Sequence, residues 1–177
     1  SALHGIMLLH LGQNYADQGR YDEAAALQER SLAVLQRRLG PEAIELGSVL
    51  QNLGLVHYFS GRLPQAEQHL RRAIAISARP TSNESSTFAN LLRNLVLVLR
   101  DQGRFDEARA LAERSLAIEE KRLSPDAFRI SASVAMLASV SAAQHRDLEA
   151  KALYQNALAT MDETVGRDSL HTNMIIR

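Results

Sequence analysis

The chain repeats itself at a fixed distance, and that distance limits its fold more than any other property. Asp17-Gln18-Gly19-Arg20-Tyr21-Asp22-Glu23-Ala24, continued through Leu27 and Glu29-Arg30-Ser31-Leu32-Ala33 to Val34, returns as Asp101-Gln102-Gly103-Arg104-Phe105-Asp106-Glu107-Ala108 through Leu111 and Glu113-Arg114-Ser115-Leu116-Ala117 to Ile118. Fourteen of these 18 residues are identical at a separation of 84. Weaker copies stand midway and beyond: Gly61-Arg62-Leu63 with Ala66, Ala73 and Ile74, and His145-Arg146-Asp147 with Ala150, Ala157 and Leu158. The period is therefore 42 residues, present four times without slippage. A constant period of this size marks an array of supersecondary units, each of which buries its apolar face only against its neighbours. The units fall at 4–41, 42–83, 84–125 and 126–167, with 168–177 aligning to the start of a fifth.

Within a unit the apolar residues recur at helical spacing. Ile6, Met7, Leu8, Leu11, Gly12 and Tyr15 give one stripe over about residues 4–17, and Gly19 ends it, because glycine enters the left-handed region without steric cost. Asp22 and Glu23 open a second helix, where carboxylates suit the positive N-terminal end, and its buried stripe is Ala24, Leu27, Ser31, Leu32 and Leu35. Leu39-Gly40-Pro41 closes the unit, with Pro41 expected to start the next helix. The second unit places Leu46, Leu50, Leu53, Gly54 and His57 on its first helix and a second helix over about 64–78. Thr81 and Glu84 form a candidate capping box before the third unit, which has Leu92, Leu95, Val96 and Leu99, a turn at Gly103 and a helix over about 105–122. Ser124-Pro125 is expected to cap the fourth, which has Val134, Leu137, Ala138 and Ser141 and a second helix over about 148–164. His145 stands where the other units have glycine, and histidine is among the residues that tolerate a positive φ. Val165-Gly166-Arg167 aligns with Leu39-Gly40-Pro41, which reads as an excerpt of a longer array. The fold class is all-α, built from antiparallel helix pairs.

Charge and composition narrow the functions. Twenty basic residues balance twenty acidic ones, which removes the electrostatic footprint of a nucleic-acid binder. The core is aliphatic, since 46% of residues are hydrophobic but only 5% aromatic. With no cysteine there are neither disulfides nor thiolate metal sites. No apolar run approaches a membrane span and the N-terminus has no signal-peptide pattern, so a cytoplasmic, non-membrane protein is expected. No phosphate-binding glycine loop, nucleophile elbow or His-Glu-x-x-His helix occurs, and the six histidines are scattered, with His69 and His171 expected at the surface. Neither an enzyme nor a metal or cofactor site is expected.

Leu8, Leu11, Gly12, Tyr15, Ala24, Gln28 and Ser31 in the first unit, and Leu50, Leu53, Gly54, His57, Ala66, Leu70 and Ala73 in the second, resemble the tetratricopeptide repeat. Ala108 and Ala150 keep the small residue of the helix crossing in the later units, whereas Val96 and Ala138 replace its glycine. The 42-residue period and the Leu-Gly-Pro joint are similar to the kinesin light chain type. The resemblance implies a right-handed α-solenoid whose first helices line a concave groove that binds a protein or peptide. The groove positions are then Gln13 in the first unit; Gln51, Asn52, Leu55, Tyr58 and Phe59 in the second; Asn90, Arg93, Asn94, Leu97, Arg100 and Asp101 in the third; and Met136 and Ser139 in the fourth. Asn52 and Asn94 match the groove asparagine of the light-chain repeats, whose amide both donates and accepts. Arg93 and Arg100 would favour a partner with acidic residues. Two other roles remain open at this point: a sensor array attached to a catalytic domain, and self-assembly through the repeat ends, with Met174, Ile175 and Ile176 as an apolar edge.

Overall fold

A computed structural model describes residues 1–78, 85–122 and 126–175, with side chains up to residue 162. Among the described residues every regular element is a helix: α1 (Ala2–Asp17), α2 (Tyr21–Leu39), α3 (Leu46–Phe59), α4 (Leu63–Ser77), α5 (Ser86–Asp101), α6 (Phe105–Glu120), α7 (Ala127–Ala143) and α8 (Asp147–Ile175).

The turn inside each unit is the same hydrogen-bonded device four times over. The N–H of Gly19 donates to Ala16 C=O and that of Arg20 to Tyr15 C=O; Gly61 and Arg62, Gly103 and Arg104, and His145 and Arg146 repeat both bonds. This double closure satisfies two of the carbonyls that a helix end leaves unpaired, and it requires a left-handed residue. The three glycines sit at φ 75° and His145 at φ 58°, as the sequence predicts. The arginine that follows opens the next helix and pairs with a glutamate three residues on: Arg20 with Glu23, Arg104 with Glu107, Arg146 with Glu149.

Helices pair as α1 with α2, α3 with α4, α5 with α6 and α7 with α8, and each pair stacks on the next. The first helices also touch one another, α1 with α3, α3 with α5 and α5 with α7, whereas among the described residues no second helix packs closely on another second helix. The stack therefore curves toward its first helices. The second helices are instead joined by long side chains. Glu67 of α4 accepts hydrogen bonds from Arg71 (2.8 Å), Gln102 (3.0 Å) and Arg104 (2.6 Å). Burial alone would raise its pKa, but these donors outweigh it and hold the carboxyl at about 2. Arg62–Asp22 (3.0 Å) and Arg109–Glu149 (2.9 Å) bridge the neighbouring joints.

The crossing inside each unit explains the departures at the glycine. Gly12 lies opposite Gln28, and Gly54 opposite Leu70; a Cβ would come within 2.7 Å of the Gln28 Cγ and 2.5 Å of the Leu70 Cγ. In the third unit the sizes are exchanged, Val96 facing the register of Ala112, and both are fully buried in one core cluster. Ala24, Ala66, Ala108 and Ala150 are buried in all four units. Ser31 Oγ donates to Gly5 C=O (2.6 Å) and Ser115 Oγ to Ala89 C=O (3.1 Å), the same bond 84 residues apart.

Several local expectations are corrected. Pro41 does not start a helix: Gly40 stops α2 at φ 93°, ψ 159°, a conformation open essentially to glycine, and turns carry the chain to Leu46. The cap of α5 is Ser85, whose Oγ accepts from Phe88 N–H (3.1 Å), and the cap of α7 is Asp126, whose carboxylate accepts from the N–H groups of Phe128 and Arg129. The proposed caps at Thr81–Glu84 and Ser124–Pro125 lie outside the described residues. Helix α8 continues to Ile175 through 165–167, where a joint was expected. Ile6, Met7 and Leu11 are exposed, because α1 buries only its Gly5, Leu8 and Gly12 edge. His69 is half-buried and stacks on His57.

Candidate binding groove

The curvature puts α1, α3, α5 and α7 on the inner face, and the groove residues separate there into four groups. Gln13, Asn52 and Leu55 come together around a cleft of about 120 Å³ that Ala16, Asp17, Val56, Tyr21 and Phe59 complete. Tyr21 and Phe59 stack with ring centroids 5.8 Å apart, and Tyr58 meets Phe59 edge-on at 5.3 Å. Tyr21 is the residue that sequence reasoning missed. Its column also holds Leu63 and Phe105, large residues that open a second helix, but nothing in that column says that it reaches α3.

A second group binds units two and three together. Tyr58 donates its hydroxyl to Asp101 (2.8 Å), Arg100 Nε donates to Asp101 (2.8 Å), and Arg100 also reaches the Tyr58 oxygen (3.3 Å). Burial opposes the Asp101 charge, yet the bonds from Arg100 and Tyr58 keep its carboxyl below the usual range. Burial, then the neighbouring Asp101, pushes the Tyr58 phenol up. The Arg100 cation is thus matched inside the protein, with its side chain 24% exposed.

Arg93 is corrected as a free donor. It is 9% exposed and points between units three and four, where it donates to Asn90 (3.1 Å) and Ser133 (3.2 Å) and lies 3.7 Å from the fully buried Glu119. Burial works against the guanidinium charge, and Glu119 only partly offsets it. Ser86 donates to the same carboxylate at 2.9 Å. Asn90 and Arg93 therefore belong to a joint.

The remaining positions are dispersed. Gln51 lines a different cleft of about 360 Å³ with Ile44, Ser48 and Leu91. Leu97 is half-buried, Met136 packs on the core, and Ser139 Oγ donates to the Met136 carbonyl (2.8 Å). Asn94, one period after Asn52, is half-buried, and its amide nitrogen has no hydrogen-bond partner. Among the described residues no group of three or more His, Asp or Glu side chains could hold a metal ion, and no helix is long and apolar enough to cross a membrane.

Family models for the tetratricopeptide repeat match residues 4–79 and 88–126. The chain belongs to the tetratricopeptide repeat family. No curated protein matches by sequence. Several solved structures share its fold at low identity. BtubC (BKLC) from P. vanneervenii is 22% identical, with a TM-score of 0.82 over 92% of this chain and 65% of that one. A Podosopora anserina putative kinesin light chain, with nearly identical TPR-like repeats, is 24% identical, with a TM-score of 0.76 over 90% and 76%. The first TPR of Spaghetti (RPAP3), bound to the HSP90 peptide SRMEEVD, is 16% identical, with a TM-score of 0.60 over 82% and 96%. The chain spans about two thirds of the length of BtubC, and the likeness to these structures is one of fold.

Proposed function

We propose that this tetratricopeptide array binds an extended segment of a partner protein along the inner face of α1, α3 and α5 and carries no chemistry of its own. The observation that carries the reading is the cleft where Gln13, Asn52 and Leu55 meet the Tyr21–Phe59 stack. It offers an amide pair for a peptide backbone beside an aromatic wall for one side chain, which is how a groove holds a chain without demanding one sequence. Asn94, half-buried on α5, places a second amide side chain one repeat further on. An array of similar fold carries a peptide in its solved structure, which supports the mode. Charge contributes little here, because Arg93 is committed to Glu119 and Arg100 to Asp101.

Fluorescence anisotropy of a labelled peptide library tests this. A binding peptide should lose about tenfold in affinity with Asn52→Ala and Asn94→Ala together, since a net hydrogen bond is worth about 0.5–1.5 kcal/mol. The outer-face variant Arg30→Ala should bind like wild type, and raising the salt should weaken binding only slightly. Equal affinity for the double variant and wild type would reject the assignment.

A further inference from the structure

The column near the end of the first helices reads Ala16, Tyr58, Arg100 and Ala142, 42 residues apart. Between units two and three, Tyr58 crosses the joint and donates its hydroxyl to Asp101, while Arg100 pairs with the same carboxylate at 2.8 Å. Between units one and two, Ala16 is too short to cross, and the cleft of about 120 Å³ remains. Asp17, which stands in the column of Asp101, lines that cleft.

Charge says what such a cleft accepts. Apart from histidines, the charged residues of α1, α3, α5 and α7 are Asp17, Arg93, Arg100, Asp101 and Arg129. Arg93 lies 3.7 Å from Glu119, Arg100 2.8 Å from Asp101 and Arg129 3.2 Å from Asp126. Asp17 alone has no cation beside it among the described residues; its carboxylate accepts a hydrogen bond from the neutral Gln13 amide (2.8 Å). Arg20, the next cation along the chain, is engaged by Glu23 and lies over the Tyr15 ring. The α1 terminus does not compensate Asp17 either, because unpaired carbonyls make a helix C-terminus the negative pole. The open charge of the inner face is therefore one carboxylate, set beside Leu55 and the Phe59 ring, which is 58% exposed.

We infer that the cleft takes a basic side chain, arginine before lysine, from the bound segment. The apolar stem of an arginine suits Leu55, its guanidinium is drawn to an aromatic ring, and its fork gives Asp17 two charge-assisted hydrogen bonds. An acidic side chain in the same place would face Asp17 and meet no cation. The array holds its own precedent one joint further on, where the Asp101 carboxylate takes both Arg100 and the Tyr58 hydroxyl. This assignment rests on the peptide-binding reading of the inner face and adds to it the chemical class of the side chain held. One ion pair at an exposed rim contributes selectivity more than affinity.

Position-scanning pools of end-capped decapeptides, each with one fixed residue, test the inference by anisotropy against wild type, Asp17→Asn, Asp17→Arg and the Asn52→Ala/Asn94→Ala double variant. Asp17 is exposed and asparagine keeps an acceptor for Gln13, so Asp17→Asn should retain the wild-type helical signal and melting temperature. Wild type should bind Arg pools about three- to tenfold more tightly than pools fixed with the neutral isostere citrulline or with Glu. Asp17→Asn should bring the Arg and citrulline pools level, and Asp17→Arg should turn the preference toward Glu. A wild-type preference for Glu or for neutral residues overturns the inference, and so does an Arg preference that survives in Asp17→Asn. If binding in either case still falls with Asn52→Ala/Asn94→Ala, the peptide-binding reading stands without this occupant. Pools that bind wild type and that double variant alike, or fail to bind wild type at all, reject the peptide-binding reading and the basic side chain with it.

Discussion

His57 and His69 stack with ring centroids 5.3 Å apart and planes 8° from parallel. Burial lowers the pKa of both; Arg62 adds to this at His57, where Glu29, 4.0 Å from Nε2, only partly offsets it, and His57 and then Arg72 add to it at His69. His69 is held down at about 4, against about 6.5 for a free imidazole. The unfolded chain therefore takes up more protons than the folded one across that window, and stability must fall as the pH drops through it. The melting temperature should decline between pH 7 and about pH 5.5, before the lowered carboxylates such as Glu67 begin to contribute, and His69→Gln should flatten the slope. An unchanged slope in the variant would place the pH response elsewhere. Arg93 shows where residue-level reading from sequence stops. An arginine on a first helix has the same helical position whether it faces the groove or the next unit, and only its partner decides. The partner was legible in principle: Glu119 stands in the column of Leu35, Ser77 and Met161, where a carboxylate needs a buried counter-charge.

Between helices, the fit depends on paired sizes rather than on single residues. Gly54 admits Leu70, and Val96 stands at the register that faces Ala112, so glycine is required only where the opposite side chain is large. Gly54→Val should destabilise the array by about 1–3 kcal/mol through overpacking. Combined with Leu70→Ala, which creates the third unit's pairing in the second, it should cost clearly less than the sum of the two single changes. Urea melts of the four proteins give the coupling, and strict additivity would show that the two positions do not meet. The helices and their glycine turns were legible because a 42-residue period presents each signal several times. Their starts were not legible wherever several polar residues competed for one cap. Ser85 and Asp126 won because their oxygens reach the first free N–H groups, a matter of backbone direction that composition does not encode.

The whole molecule is a curved stack whose inner face is made by the first helices and whose outer wall is joined by ion pairs across the units. The period made this arrangement legible, whereas the working part of the inner face was less so. Gln13, Asn52 and Leu55 do converge, but the aromatic wall comes from Tyr21 and Phe59 on helices of one unit and the next, a pairing fixed by the angle between units. The central claim is that partners bind along that inner face. Amide and side-chain NMR shifts followed during titration of a selected peptide test it most directly. The account predicts changes confined to Gln13, Asn52, Leu55, Phe59, Asn94 and their neighbours on α1, α3 and α5, together with Tyr21 where α2 begins. Shifts running instead along the outer surfaces of α2, α4 and α6, with the inner face unchanged, would contradict it.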